Sequence, residues 1–198
     1  MNALTAIFLL LLAPPCVSRA SEDPNAVRQE KINLILQFQD KRTIYDGKLV
    51  SFLADPDPIV RERAVLAFGS IQDTSVISLL VDRLSADNSN EVRAAAAFAI
   101  GQTAGLLSRG NRESLEHDLI WTRLERMPGG GKGAKARMIE ELGKFCSAQS
   151  LQDLILKYAN AMPPDHLPSL TMCIARCAIR SVTPPEAKFA RSAAAACP

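Results

Sequence analysis

The sequence predicts an all-α fold, an α-solenoid of about four stacked helical hairpins. Three observations carry that expectation. Asp55-Pro56-Asp57-Pro58-Ile59-Val60-Arg61 recurs 32 residues later as Asp87-Asn88-Ser89-Asn90-Glu91-Val92-Arg93, followed in both places by matching segments, RERAVLAFG and RAAAAFAIG. Apolar residues recur at helical spacing, and Val, Ile, Thr and Tyr form no alternating runs. A composition of 47% hydrophobic but only 5% aromatic side chains describes a globular chain packed through small residues, not a disordered one. Repetition at a period of roughly 30 to 45 residues marks two-helix units whose apolar faces only their neighbours can cover.

The elements follow in order. Leu4 to Ala13 (LTAIFLLLLA) is apolar but too short for a bilayer, which takes about 20 residues. With Pro14-Pro15 and the small residues of Ser18-Arg19-Ala20, it predicts a signal peptide over residues 1–20, cleaved before Ser21 and directing the chain to the periplasm or the medium. Pro14 and Pro15 stand where a lipobox needs small residues, so a lipid on Cys16 is not expected. Residues 21–198 then form a single repeat domain. Ala26 to Phe38 opens it with Ile32, Ile35 and Leu36 inward. Ile44 to Leu53 and Ser75 to Leu84 are the first helices of their pairs, the latter burying Val76, Leu79, Leu80 and Leu84.

Second helices begin at caps. Asp57 or Ser89 accepts from first-turn N–H groups, and Pro58 fills the first helical position, where its missing donor costs nothing. Val60, Ala64, Ala67, Phe68 and Ile71 make a buried stripe whose alanines let helices approach, and Gly69 and Gly101 favour termination or close packing. Leu115 to Leu124, Ala134 to Phe145, Leu151 to Ala161 and Ser169 to Val182 continue the array. Leu142-Gly143 aligns with Phe68-Gly69, and Ala175, Ala178 and Ile179 align with Ala64, Ala67 and Phe68. The closing PPEAKFARSAAAACP adds a helical turn or two.

These residues resemble HEAT-like repeats, in particular the short bacterial kind of phycobilin lyase subunits, most clearly over residues 49–105. The resemblance implies that the turn Asp and the helix Arg, here Asp55 with Arg61 and Asp87 with Arg93, form a structural ladder between repeats. LILQFQDKRTIYDGKLVSFLADPDP and CIARCAIRSV also resemble the repeat portion of exported bacterial proteins that continue into a cyclophilin-type prolyl isomerase domain. Two further roles follow from resemblance alone. One is an accessory or truncated folding factor without the catalytic domain; the other, which export disfavours, is bilin handling.

Chemical constellations are sparse. Pro128-Gly129-Gly130-Gly131-Lys132-Gly133 lacks the Gly-Lys-Ser/Thr ending and preceding strand of a phosphate-binding loop, and residues 128–133 read as a flexible connection. Glu113 and His117 share a helix face but have no third ligand nearby, and His117 and His166 are expected at the surface. Cys146, Cys173, Cys177 and Cys197 remain after cleavage; an even count permits disulfides in an exported chain, but spacing leaves the pairing open, and small apolar fillers of helix interfaces are the plainer reading. With no paired carboxylates, GxSxG or HExxH, the chain reads as non-catalytic, with no cofactor and no metal. A net charge of +2 announces neither nucleic acid nor, after cleavage, a membrane surface.

What remains is a surface. Successive second helices place Glu62, Ala94, Ala136 and Cys173, and one turn on Leu66, Phe98, Glu140 and Cys177, in columns along one face. The expected partner is another protein or peptide segment, held on the concave face of the stack with Leu66 and Phe98 as apolar anchors.

Overall fold

A computed structural model describes residues 23–44, 47–127, 133–158 and 163–182, and every regular element among them is helical. The chain forms α1 (Pro24–Asp40), α2 (Lys48–Ser51, running into a 3-10 turn at Phe52–Ala54) and α3 (Pro58–Ile71). A 3-10 turn at Thr74–Val76 leads into α4 (Ile77–Ala86), which α5 (Asn90–Thr103) follows. Next come α6 (Arg109–Asp118, prolonged by a π turn at Leu119–Arg123 and a last turn at Leu124–Arg126), α7 (Ala134–Leu142), α8 (Ala148–Tyr158) and α9 (Leu167–Val182). The signal-peptide segment, Cys16, the glycine run at 128–132, Cys197 and the alanine-rich end lie outside the described residues.

Local chemistry starts the helices where the caps stand. Asp57 accepts from Ile59 N–H at 2.9 Å with Pro58 at the first helical position, and Ser89 accepts from Val92 N–H at 3.3 Å. Gly47, at φ 83°, takes a left-handed turn that strains any side-chain-bearing residue, and it leaves α2 much shorter than the predicted Ile44 to Leu53. The odd-numbered helices pack each on the next, α1 on α3 and so through α9, making one layer. Behind it, the turn after α2 packs on α3, α4 on α5, and α8 on α9. Between the layers lie Val60, Ala64, Ala67, Phe68, Val76, Leu80, Leu84, Val92 and Ile100, all buried. Each large aliphatic among them contributes roughly 1.5–3 kcal/mol through removal from water. Of the predicted inward residues of α1, Ile35 is buried while Ile32 and Leu36 are half-buried; Phe38 completes the packing.

Close approach sets the register of the odd layer. A Cβ on Gly69 would lie 3.1 Å from Ala99 Cα, one on Gly101 2.8 Å from Glu141 Cβ, and one on Gly143 2.7 Å from Cys173 Cα. Ala67, Ala99, Glu141 and Cys173 therefore occupy equivalent places, each two residues before a glycine or, in α9, Ala175. This corrects the sequence alignment of α9 by five residues: Leu170, Cys173 and Cys177 face inward, while Ala175, Ala178 and Ile179 are exposed. His166 falls at the place of Val60 and is buried, contrary to the surface position expected for it. Glu141 is a carboxylate where earlier repeats have alanine. Arg137 at 3.2 Å, Arg176 at 3.8 Å and Lys144 surround it, offsetting the cost of burying its charge.

Charged rungs tie the turns to the preceding odd helix. Lys31 of α1 reaches Asp55 at 2.7 Å and Arg28 bonds Asp57. Arg61 of α3 grips Asp87 through Nε at 2.9 Å and Nη2 at 2.8 Å, while its Nη1 donates to the carbonyl of Asp55 at 2.8 Å. Arg93 repeats the second contact, donating to the Asp87 carbonyl at 2.6 Å. Its buried Nε has no hydrogen-bond partner among the described residues, and the turn sequence ahead of α7, PGGGK, offers no carboxylate. Burial pushes the Asp87 carboxyl up, but Arg61 and the Ser89 N–H together pull it further down, so it titrates below the usual carboxylate range.

Two outcomes follow. Gly143→Ala forces a methyl onto Cys173 main chain and is expected to cost roughly 2–3 kcal/mol in urea unfolding, whereas Gly105→Ala, with open space around it, changes stability by less than about 0.5 kcal/mol. Arg61→Gln leaves Asp87 buried without its main partner and is expected to cost roughly 3 kcal/mol at pH 7. Because the folded value of Asp87 is depressed, its contribution is complete above about pH 4 and is lost as pH falls through the folded value. The gap between wild type and Arg61→Gln in urea midpoint should therefore narrow on acidification to about pH 3.

Candidate functional site

The stacking register fixes which side chains share the outer face of the odd layer. Along α3 and α5 it brings together Glu62, Leu66, Ala94 and Phe98, four of the residues expected there, around an open groove of about 500 Å³ that Asn90, Glu91, Ala95 and Arg137 complete. Leu66, Ala94 and Phe98 are half-buried, forming an apolar floor that still meets solvent. Glu62, Glu91 and Arg137 supply the charged groups of its lining. Two cations of the next repeat contact the Phe98 ring, with Arg137 Cζ 5.3 Å and Lys144 Nζ 5.0 Å from its centroid. Its position is thus set before any ligand arrives.

Arg137 also lines a second recess of about 280 Å³, with Ala136, Glu140, Asp165, Pro168 and Ser169, which carries the groove on to α9. Glu140 is half-buried here and tied down by Arg176, whose Nη2 lies 2.8 Å from Oε1 and whose Nη1 donates to its carbonyl at 3.1 Å. Cys173 and Cys177, the two remaining column residues expected from sequence, do not face this groove. Both are buried against the α7 end of the stack, Cys173 on Gly143 and Cys177 with Sγ 3.9 Å from the Cys146 carbonyl. The five-residue shift in α9 puts Pro168 and Met172 in the column instead, and Met172 is 45% exposed. A sequence signal for them existed: each stands 32 residues after its counterpart in α7, Ala136 and Glu140, the same interval that separates Leu66 from Phe98.

The arrangement suits recognition. Asp55, Arg61 and Asp87 bond between repeats, Arg93 bonds the turn of its own repeat, and none of the four carries part of the groove floor. Glu113, half of the i, i+4 pair with His117, is engaged by Arg109 at 2.8 Å, while the exposed His117 lies 6.3 Å from the Trp121 ring. Among the described residues, no group of three or more His, Cys, Asp or Glu is placed to hold a metal ion, and no helix is long and apolar enough to cross a membrane.

Comparison with known families matches residues 13–101 to HEAT repeats. No curated protein and no solved structure gives a match. The matched segment contains α1 to α4 and all but the last two residues of α5, with both copies of the Asp…Arg turn, and the stacking contact of Gly69 on Ala99 recurs beyond it through Gly101 and Gly143. The similarity to HEAT repeats thus covers a little under half of the chain, and the same stacking contact carries on past it.

Proposed function

We propose that this protein is an exported, non-catalytic scaffold that holds an extended or helical segment of another protein along the odd-helix face. Helical repeat stacks serve as protein-interaction scaffolds because each unit adds a similar strip to one continuous surface. The observation that carries the assignment is the half-exposed floor of Leu66, Ala94 and Phe98, continuing past Arg137 to Pro168 and Met172. An amphipathic helix or an extended strand laid there covers apolar area, and Glu62, Glu91 and Arg137 in the lining select its polar side chains. Export is supported by the LTAIFLLLLA run and the small residues of Ser18-Arg19-Ala20.

Photo-crosslinking residues at Leu66 and Met172 are expected to capture one and the same protein in cells producing the full chain, while a crosslinker at Leu156, 70% exposed on α8 of the other layer, captures it far less. Ala94→Glu is expected to cut capture through Met172 by about tenfold with little change in melting temperature. Equal capture from Leu156, or capture indifferent to Ala94→Glu, contradicts the assignment.

A further inference from the structure

The last described odd helix, α9, keeps a stacking face that no described residue covers. In the register set by Gly69, Gly101 and Gly143, Ile174 stands at the place of Phe68, Ile100 and Leu142. Those three are closed to solvent, while Ile174 is 39% exposed. Ala178 is exposed where Ala104 and Cys146 are buried, and Thr171 where Ala97 and Ile139 are. In each inner repeat another odd helix packs beyond these places; beyond α9 none is described. Every exposed side chain from Leu167 to Ala178 is uncharged, and Ala175 keeps the glycine place small. The other end of the stack is finished differently. There the outer side of α1 carries Asn25, Gln29, Glu30, Asn33 and Gln37, all exposed and polar. End units of helical stacks keep the protein soluble by presenting such a polar outer side, and α9 does not.

We propose that residues 185–197 of this chain form a capping helix that packs on the exposed face of α9, in the place a further odd helix would take. The segment is tethered where it is needed, since only Thr183 and Pro184 separate it from Val182, the last residue of α9. Its start repeats a signal the chain already uses. Pro163 and Pro164 open the turn that leads into α9, with Asp165 next, and Pro184, Pro185 and Glu186 stand in the same order. Each proline holds the residue before it out of helical conformation, so the two helices are separated by a turn, and Glu186 in the first turn suits the helix dipole. Phe189, Ala193, Ala196 and Cys197 follow the i, i+4, i+7, i+8 spacing of one helix side, with Ala190 and Ala194 beside them. Lys188, Arg191 and Ser192 fall on the opposite side. An apolar side made mostly of alanine permits the close approach found throughout the stack, and the cations stay in water. A helix over 185–197 is about 20 Å long against about 24 Å for the 16 residues of α9, enough to cover most of the face. A second copy stacked head to tail would instead set Ile174 and Ala178 against the amides of Asn25, Gln29 and Asn33, burying polar groups without partners.

The cap stands or falls independently of the docking column. The purified full chain, with benzoylphenylalanine in place of Ile174, is irradiated in dilute solution and digested. Mass spectrometry is expected to find the peptide of position 174 joined to one from residues 189–198, in protein that runs as a single chain on a denaturing gel. Phe189→Asp combined with Ala193→Glu is expected to cut that link by about tenfold and lower the melting temperature by about 3 °C, whereas Lys188→Glu changes neither. A link from position 174 to α9 of a second chain, or no link to residues 189–198, overturns the assignment. So does a double variant that links and melts as the unsubstituted chain does.

Discussion

The closeness of successive odd helices is the constraint on which the rest of the structure depends. At Gly69, Gly101 and Gly143 there is no room for a side chain without displacing a neighbour, and at Gly143 the obstacle is main chain, which has least freedom to yield. That contact fixes both the separation and the axial register of each pair. Register decides which residues of the next helix turn inward, so the buried stripe, the charged rungs and the exposed column all inherit it. Helix propensity contributes little by comparison: α5 carries a run of alanines with no strongly one-sided pattern, and only its neighbours on both flanks determine which of them are buried.

Departures from strict repetition have local causes. Ten extra residues separate the Gly101 and Gly143 positions, and among the described ones the addition falls in the long first helix α6, where a π turn at Leu119–Arg123 interrupts the regular winding. Beyond this irregular unit the alanine place becomes Glu141, and the cations that neutralise it, Arg137, Lys144 and Arg176, supply the positive charge of the groove and the contacts on Phe98 and Glu140. A buried carboxylate in the stack thus gathers positive charge at the surface beside it. The rung that Arg61 makes with Asp87 has no equivalent from Arg93 among the described residues, consistent with a turn sequence lacking an acid.

Much of this was legible because two complete units differ by few residues. Asp57 and Ser89 announced their caps, the 32-residue interval announced the stack, and Leu66 with Phe98 announced the first part of the column. In the last repeat the sequence pattern points to the wrong face for a physical reason. In α9 two stripes have helical spacing, one through Ala175, Ala178 and Ile179 and one through Leu170, Cys173 and Cys177. Alanine content favoured the first; the contact of Cys173 on Gly143 selects the second. Periodicity within one helix cannot choose between two such faces, since the choice is made by the helix packed against it. The same holds for His166, which looked polar and solvent-bound but stands at the place where the other repeats bury valine or alanine.

The central claim is that the odd helices progress as a single file, with Leu66, Phe98, Glu140 and Met172 in one column. Spin labels attached in pairs at these four positions through noncanonical residues measure it most directly. A stack predicts that separation from Leu66 grows at each step, by about 10 Å per helix, through Phe98, Glu140 and Met172. A Leu66 to Met172 separation no greater than that of Leu66 to Phe98 would describe a closed bundle and contradict the account.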